Sequence, residues 1–299
     1  MVSNLQSHPS PLTSHPLTLL PWGWNPLLIR QLADAGLPAH LLPTPTQMAE
    51  YRACASRQTA VRLLERLRTS WPDAFGEDGM LVGESTWCET EEQVAAAIAS
   101  YDGKVMLKAP WSGSGRGVKK VFLDPRGTHP QLPWLRRTLQ RQGGVEVEPL
   151  YNKVQDFAME FWAEDGRISY DGLSVFSTTE GGVYAGNLVA SEAEKERRLA
   201  QYVPTDLLHA VRCRLENLLS DGVMPTWYTG PLGVDLMVVG RAGNGQSFFL
   251  HPFIELNLRM TMGWVALQLN RKLAEGESAT FHIDTSGGHY RAVFTKKEA

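Results

Sequence analysis

The sequence predicts an α+β protein that is built from two small sheets, with helices between the groups of strands. Strand-like segments flank a glycine-rich loop at 104–123, three more follow one another at 157–189, and a last pair lies at 232–256. Helices are predicted between these groups and not after every strand. Such runs of strands and helices indicate α+β layering, whereas strict alternation would indicate a doubly wound parallel sheet.

Composition limits the classes of function. The 299 residues are long enough for one large domain or for two to three smaller ones that share a cleft. Hydrophobic residues make up 43% and charged residues 20%, as in soluble globular proteins. The net charge of -3 comes from 29 basic and 32 acidic residues, which leaves no broad basic surface, so no nucleic-acid partner is expected.

Neither end of the chain nor its cysteines indicate a membrane or a redox role. The N-terminus has neither the basic nor the apolar region of a signal peptide, and no run approaches the roughly 18 apolar residues of a membrane span. We therefore expect no membrane partner and a cytoplasmic location. Cys54, Cys88 and Cys213 lack the spacing of a metal or redox site, and we expect reduced thiols in the core.

The N-terminal quarter is interpreted as a tail followed by a short α/β segment. Residues 1–16 are rich in Ser, Pro and His and are predicted to be disordered. Residues 17–75 are predicted to form the α/β segment. Its expected elements are a strand at 17–20, a helix at 26–35, a strand at 40–42 and a helix at 46–69.

Residues 76–150 and 151–299 are predicted to form two α+β subdomains. In the first, the capping box Thr-Glu-Glu-Gln at 90–93 opens a helix. Its other elements are strands at 104–109, 118–123 and 145–150 and a helix at 133–140. The second contains strands at 157–163, 169–177, 183–189, 232–239 and 247–256 and helices at 205–220 and 264–274.

The glycine-rich loop Trp-Ser-Gly-Ser-Gly-Arg-Gly at 111–117 is a candidate phosphate site, because glycine backbone N–H groups can form an anion-binding nest. No Gly-Lys-Ser/Thr follows, and a strand rather than a helix comes next, so neither a Walker A loop nor a dinucleotide fingerprint is present. Lys108 precedes the loop, whereas the kinase lysine follows its loop. By itself, Lys108 is more typical of a solvated surface lysine beside a mobile turn.

A second polar group lies in the last two strands. Asp235 is in one strand, and Glu255, Asn257 and Arg259 share one face of the next through the period-two alternation of a strand. If the strands pair through the turn at 240–245, Asp235 comes close to the same group. Two carboxylates and a carboxamide are oxygen ligands, which suit Mg2+ bound to phosphates and not Zn2+.

Together these features resemble the ATP-grasp superfamily over about 57–263: a strand lysine before a Gly/Ser-rich loop, an acidic hinge, then Asp and Glu-x-Asn-x-Arg on successive strands. The resemblance implies an ATP-grasp fold in which two α+β subdomains clasp ATP. It also implies the following nucleotide ligands: Arg57 and Lys108 at the phosphates, Ser112, Gly113, Ser114, Gly115, Arg116 and Gly117 in the lid, Glu148, Pro149, Leu150 and Tyr151 at the adenine hinge, and Asp156 at the ribose.

For catalysis, the resemblance implies Mg2+ at Asp235, Glu255 and Asn257, and Arg259 at the transferred phosphate or acyl phosphate. Lys195, in the polar stretch 177–198, is a candidate γ-phosphate contact if that stretch closes over the site, and an ordinary solvated hairpin and linker is the alternative. Two departures are specific to this chain. Arg57 stands where the family has a further lysine. The segment before the two ATP-binding subdomains is reduced to one β-α-β unit.

The function implied by the resemblance is that of an ATP- and Mg2+-dependent ligase. It would form an acyl phosphate from a small-molecule or peptide carboxylate and join it to an amine or thiol acceptor. Two alternatives are open at this stage. One is a non-catalytic nucleotide-binding module, which the short N-terminal segment favours, and the other is a kinase-type phosphotransferase that uses the same phosphate site.

Overall fold

Two antiparallel sheets and nine α-helices form the part of the chain that the computed structural model describes, which is residues 19–112, 117–123, 130–179, 183–241, 247–284 and 288–296. The helices are α1 Pro26–Asp34, α2 Pro45–Cys54, α3 Arg57–Ser70, α4 Pro72–Phe75, α5 Glu91–Ser100, α6 Leu132–Gln142, α7 Glu192–Leu199, α8 Thr205–Ser220 and α9 Met262–Asn270. The predicted α+β class is confirmed. None of the helices in these ranges is long and apolar enough to cross a membrane.

The smaller sheet has the strand order β1-β4-β2-β3. Its strands are β1 Thr86–Cys88, β2 Lys104–Lys108, β3 Val118–Phe122 and β4 Val145–Pro149. Helices α5 and α6 cover it and form a core with the sheet. The strand residues that are completely buried in this core are Val105, Leu107, Val145 and Val147. This packing fixes β2 and β4 side by side, with Lys108 opposite Glu146.

The larger sheet has the strand order β11-β10-β7-β6-β5-β8-β9. Its strands are β5 Lys153–Glu164, β6 Arg167–Thr178, β7 Tyr184–Val189, β8 Gly230–Gly240, β9 Phe248–Asn257, β10 Ala279–Asp284 and β11 Arg291–Lys296. Phe157, Phe161 and Phe253 are fully buried in the main core, to which α3 and α8 also contribute. A separate small core around Ala266 and Phe281 packs α9 against the sheet.

Helix α3 connects the two sheets, because it contacts β9 of the larger sheet and β4 and β1 of the smaller one. The backbone N–H of Arg57, its first residue, donates to Pro110 O at 3.1 Å. A second connection runs beside β9, where Leu250 accepts from Val82 N and donates to Met80 O. The first turn of α3 therefore lies between the sheets.

The predicted β-α-β unit at the N-terminus is wrong. Residues 19–20 are irregular, residues 17–18 lie outside the described part of the chain, and Ala39–Leu41 form a 3-10 helix where a strand was expected. Proline explains the difference, since Pro21, Pro38 and Pro43 adjoin these short apolar runs and cannot donate to a strand ladder. The described residues of the segment 17–75 are thus helical or irregular.

The single helix predicted at 46–69 is two helices. Helix α2 ends at Cys54, and Ser56 caps α3 by accepting a hydrogen bond from Gln58 N at 3.2 Å. This serine cap interrupts the helix because an N-cap residue adopts extended backbone angles. Because of this break, Arg57 is the first residue of α3 and lies between the two sheets.

Other elements also differ from the sequence expectations. Strands β1, β10 and β11 were not predicted, the last helix ends at Asn270 rather than Ala274, and Cys213 is exposed whereas Cys54 and Cys88 are buried. The stretch 177–198 is mainly β7 and α7, with 180–182 outside the description. The predicted tail at 1–16 also lies outside it, and the predicted subdomain boundaries stay predictions.

Candidate functional site

Arg57 is the centre of a buried ion-pair network between the sheets. Its Nη1 donates to Ala109 O and to Ser112 Oγ, each at 2.7 Å, and its Nη2 donates to Glu255 Oε2 at 2.7 Å. Its Nε lies 3.8 Å from Glu146 Oε2 and has no hydrogen-bond partner. Burial favours a lower pKa for Arg57, but the charges of Glu255 and Glu146 outweigh it and raise the pKa, so the guanidinium stays charged.

Lys108 ends β2 in the same network. Its Nζ lies 2.7 Å from Glu148 Oε2 and 4.0 Å from Glu146 Oε2, without a hydrogen bond of good geometry. Burial favours a lower pKa for Lys108, but Glu146 and Glu148 raise it. Burial raises the pKa of Glu148 to about 7, against the opposing charge of Lys108. A buried ammonium with unused donor capacity is suited to an anion.

The glycine-rich loop is described only at its two ends. Ser112 accepts from Arg57, and Gly117 O accepts from Ala109 N at 2.8 Å. A Cβ on Gly117 would overlap the side chain of Ser112, so the loop closes tightly at its base. Gly113, Ser114, Gly115 and Arg116 lie outside the described residues, and their assignment to a phosphate lid stays a prediction.

Strands β8 and β9 bring the predicted metal ligands together. Asp235 and Glu255 are directly opposite in the antiparallel register. Burial, and then the charge of Glu255, raises the pKa of Asp235 to about 7. Asn257 hydrogen-bonds to Asp235 and accepts from Arg259 Nη2 at 2.7 Å. Two neighbouring carboxylates that repel each other in a partly buried place fit a divalent cation, which would relieve that repulsion.

Within the described parts of the chain, no group of three His, Cys, Asp or Glu side chains could hold a metal ion. The proposed Mg2+ set therefore depends on the Asn257 amide beside the two carboxylates Asp235 and Glu255. This composition agrees with the oxygen donors that Mg2+ prefers, and Mg2+ commonly keeps several waters and needs few protein ligands.

The predicted hinge consists of the end of β4, an interior strand of the smaller sheet, and the two residues that follow it. Glu148 and Pro149 are in β4, and Leu150 N donates to Lys104 O at 2.9 Å. Tyr151 accepts from Glu84 N at 2.9 Å and meets the buried His251 ring edge-on at 5.3 Å. The hinge is thus fixed by backbone contacts on one side and by the larger sheet on the other.

Asp156 and Lys195 have other partners in the structure. Asp156 Oδ2 lies 2.6 Å from Lys153 Nζ and accepts from Thr178 Oγ1 at 2.8 Å. Lys195 Nζ donates to Leu173 O at 2.7 Å and lies 3.3 Å from Glu192 Oε2. These contacts do not include the Arg57 network, so the ribose role of Asp156 and the γ-phosphate role of Lys195 stay predictions.

Two buried acids were missed in the sequence. Glu146 connects Arg57 and Lys108, and the alternation in Val-Glu-Val-Glu places it on the same face of β4 as Glu148, which was a usable signal. For Glu160, no comparable pattern in the sequence indicated a functional residue. It is buried beside Gly233 and Gly263, and burial raises its pKa to about 8. A Cβ on Gly263 would overlap Glu160 Oε1 and Ser174 Oγ.

A cavity of about 640 Å³ adjoins the network at the end of β9. Its walls are the segment 21–28, Gln31, Tyr51, Ala55, the loop 110–112 and the residues 255–259. Glu255, Asn257 and Arg259 therefore line this cavity together with the N-terminal segment.

No protein-family model matches the sequence, and no curated protein sequence matches it. The fold is similar to the biotin carboxylase domain of 2-oxoglutarate carboxylase from Hydrogenobacter thermophilus, solved with MgADP, ADP and bicarbonate. The TM-score is 0.55 at 10% identity, over 86% of this chain and 60% of that one. It is also similar to a Rhizobium etli pyruvate carboxylase variant, with TM-score 0.55 and 16% identity, over 86% of this chain and 22% of that one.

Proposed function

Because the chain has the ATP-grasp fold, we propose that it binds Mg-ATP between its sheets and joins a carboxylate to an amine or a thiol. The observation that carries this proposal is the network in which Arg57 and Lys108 share Glu146, while Arg57 also contacts Glu255, which lies opposite Asp235. Cations for phosphates and oxygen ligands for a metal thus meet in one place. The smaller sheet supplies the lysine and the larger sheet supplies the acids.

Phosphate binding is supported by buried donors whose hydrogen-bonding capacity the protein does not use in full. Arg57 Nε and Lys108 Nζ are buried and make no hydrogen bond of good geometry. In water-excluded surroundings such donors cost free energy until an anion accepts from them. Oxygens of the nucleotide phosphates would satisfy both, and Arg57 would exchange part of its contact with Glu255 for a phosphate.

The metal would be held by Asp235, Glu255 and Asn257, whose fit rests on their oxygen donors and on the direct opposition of Asp235 and Glu255 in the strand register. When bound there, Mg2+ would neutralise charge on the phosphates. The chain's own cations add to that effect. Two like unit charges about 4 Å apart repel by roughly 4 kcal/mol at an effective dielectric of 20, and a carboxylate that approaches ATP creates several such pairs.

The proposed reaction has two balanced steps. A carboxylate oxygen attacks the γ-phosphorus of ATP, the bond from that phosphorus to the β-phosphate oxygen breaks, and ADP leaves. The amine or thiol then attacks the acyl carbon, phosphate leaves with the former carboxyl oxygen, and the nucleophile loses its proton to water. Arg259, which Asn257 Oδ1 and Met260 O orient, would bind the transferred phosphoryl group.

The similar carboxylase domain was solved with MgADP and bicarbonate, which are a nucleotide and a small carboxylate-like anion. This supports the class of ligands proposed here. The chain spans 60% of that domain and 22% of the pyruvate carboxylase, so the activities of those whole proteins are not transferred to it. The acceptor is proposed only as an amine or a thiol.

The test begins with binding. Millimolar Mg-ATP should raise the melting temperature, and EDTA should abolish most of the shift, because a ligand that binds the native state stabilises it by mass action. Turnover is then measured with pools of amino acids and peptides whose carboxyl oxygens carry a heavy isotope. Release of ADP together with labelled phosphate supports the ligase.

The other outcomes separate the alternatives. A melting shift without turnover supports a nucleotide-binding module. A stable phosphorylated acceptor supports a kinase-type phosphotransferase. No shift with Mg-ATP, AMP in place of ADP, or unlabelled phosphate beside a condensed product contradicts the proposal.

A further inference from the structure

The cavity at the end of β9 has walls that are largely aromatic. Trp22, Trp24, Tyr51 and Trp111 line it, together with leucines of α1. Trp22 is 49% exposed, so a large indole surface is available to a ligand. Aromatic side chains bury large apolar areas and stack on other rings, which makes such walls suited to an apolar or aromatic group.

One wall is held in place by an arginine outside the cavity. The Arg52 guanidinium lies over the Trp111 ring at 3.9 Å from its centroid, and Trp111 Nε1 donates to Arg52 O at 2.9 Å. One ring face and the polar atom of this indole are thus already satisfied. What remains of Trp111 for a ligand is apolar surface.

The N-terminal wall is attached directly to Arg259 and its neighbours. Met260 N donates to Trp22 O at 2.9 Å, and the Tyr51 hydroxyl donates to Leu258 O. A Cβ on Gly23 would lie 3.2 Å from Arg259 Cβ, so the segment stands against the arginine without a side chain between them. The aromatic wall and the guanidinium therefore form one continuous surface.

Charge in the cavity is unbalanced toward the cation. Among the described residues that line it, Glu255 and Arg259 carry formal charge. Glu255 is paired with Arg57 at 2.7 Å, whereas Arg259 contacts the neutral oxygens Asn257 Oδ1 and Met260 O. Among the described residues that line the cavity, Arg259 is thus the charged group that makes no ion pair within 4 Å, and a carboxylate is its complement.

We propose that this cavity, which adjoins the phosphate and metal ligands, binds an organic carboxylate that carries an aromatic or bulky apolar group. The carboxylate lies toward Arg259, and the apolar group lies against Trp22, Trp24 and Trp111. The volume of about 640 Å³ is in the range of sites for medium-sized organic ligands and exceeds the need of an ion as small as bicarbonate. This inference deepens the proposed ligase function, on which it rests for the reaction of that carboxylate.

Binding is tested with phenylacetate, acetate and phenethylamine as probes, each titrated into the full chain with and without Mg-ADP by calorimetry. Phenylacetate should bind at least about tenfold more tightly than acetate, since even small apolar groups change affinity by factors of about 10 to 200 in a fitted pocket. Phenethylamine has the same ring with the opposite charge and should bind weakly.

Trp22→Ala should remove most of the preference for phenylacetate over acetate. The matched control is Phe122→Ala, because Phe122 is 55% exposed, close to the 49% of Trp22, and does not line the cavity. Leu28→Ala, in the same wall, is a second variant that should weaken phenylacetate binding in the same direction. Melting temperatures establish that each variant is folded.

Equal affinity for acetate and phenylacetate, tighter binding of phenethylamine, or an unchanged preference in Trp22→Ala and Leu28→Ala would overturn the inference. Failure of the ligase proposal is recognised separately. If Mg-ADP does not bind while phenylacetate still binds with the expected preference, the cavity assignment stands and the nucleotide site is wrong. If Mg-ADP binds and the preference is absent, the cavity assignment alone fails.

Discussion

Arg57 Nη2 donates to Glu255 Oε2 at 2.7 Å, and this partly buried ion pair joins the first turn of α3 to the end of β9. A proposed phosphate ligand and a proposed metal ligand thus neutralise each other in the ligand-free protein. Removal of Glu255 would leave the buried Arg57 guanidinium with fewer acidic partners, and the cost should lie below that of a fully buried pair, about 3–5 kcal/mol, because Glu255 is 28% exposed. The pair therefore contributes to the stability of the ligand-free protein as well as to the site.

We expect Arg57→Lys to lower the free energy of unfolding by about 2 kcal/mol, because an ammonium cannot donate to Ala109 O, Ser112 Oγ and Glu255 Oε2 in the geometry of a guanidinium. Urea denaturation measures the loss. Arg62→Lys, at an exposed position of the same helix, is the control and should change stability by less than about 0.5 kcal/mol. Equal midpoints for the two variants would contradict the structural role of Arg57.

Lys108→Ala should raise the dissociation constant for Mg-ADP about tenfold or more, since a charge-assisted hydrogen bond to a phosphate contributes about 1.5–3 kcal/mol. Lys104→Ala should leave it nearly unchanged. Lys104 is exposed at the opposite end of β2, whereas Lys108 is buried beside Glu148. Calorimetric titration measures both constants, and similar losses in the two variants would indicate a generally solvated face of the strand.

Glu255→Gln and Asn257→Ala should shift the Mg2+ dependence of nucleotide binding to higher metal concentration, in addition to any stability that Glu255→Gln loses with the Arg57 ion pair. The reason is that each removes or weakens an oxygen ligand of the proposed cation. Mg2+ titrations at fixed ATP, followed by melting temperature, measure the shift. Glu65→Gln, at an exposed position of α3, is the charge-matched control. Unchanged metal titrations would mean that the cation binds elsewhere.

Glu160 predicts a pH dependence of stability. Burial raises its pKa from the ordinary 4.5 to about 8 in the folded protein. Between these values the unfolded chain has lost the proton and the folded protein still holds it, so the free energy of unfolding falls as pH rises, by up to about 1.4 kcal/mol per pH unit. Below about pH 4.5 the contribution is fully present, and it is lost as pH approaches about 8.

The variant Glu160→Gln has no carboxyl to ionise and should show a flatter dependence. We expect the melting temperature of the native protein to fall relative to that of Glu160→Gln between pH 5 and pH 8. Glu65→Gln, at an exposed position, should run parallel to the native protein. Parallel curves for Glu160→Gln would indicate that Glu160 is ionised in the folded protein across this range.

Local signals in the sequence predicted local structure well. The capping box that was expected at Thr90 has both of its hydrogen bonds, with Gln93 N donating to Thr90 Oγ1 and Thr90 N donating to Gln93 Oε1, each at 3.2 Å. The β2–β3 pair and α8 are also where the sequence predicts them. These elements depend on residues within a few positions of one another, so a short stretch of sequence is enough to predict them.

Partners far apart in the sequence were not predictable in the same way. The residue type of Arg57 indicated a phosphate ligand, but its contact with Glu255 depends on how α3 crosses both sheets. Strand β10 was missed because its pairing with β7 and β11 holds it, and its own residues alternate only weakly. In the aromatic cavity, the N-terminal segment lies beside the end of β9. These two parts are far apart in the sequence, so no local spacing predicts that they meet.

The close packing around Glu160 limits the order in which substitutions can accumulate during evolution. Gly263 leaves no room for a methyl group while Glu160 Oε1 and Ser174 Oγ occupy their places, and a Cβ on Gly233 would lie 2.7 Å from Glu160 Oε2. A lineage that descends from this sequence can therefore gain a side chain at position 263 only after the side chains at positions 160 and 174 have both become smaller or shifted. If position 263 changes first, the intermediate protein folds poorly. The first substitution therefore decides which later substitutions natural selection can retain.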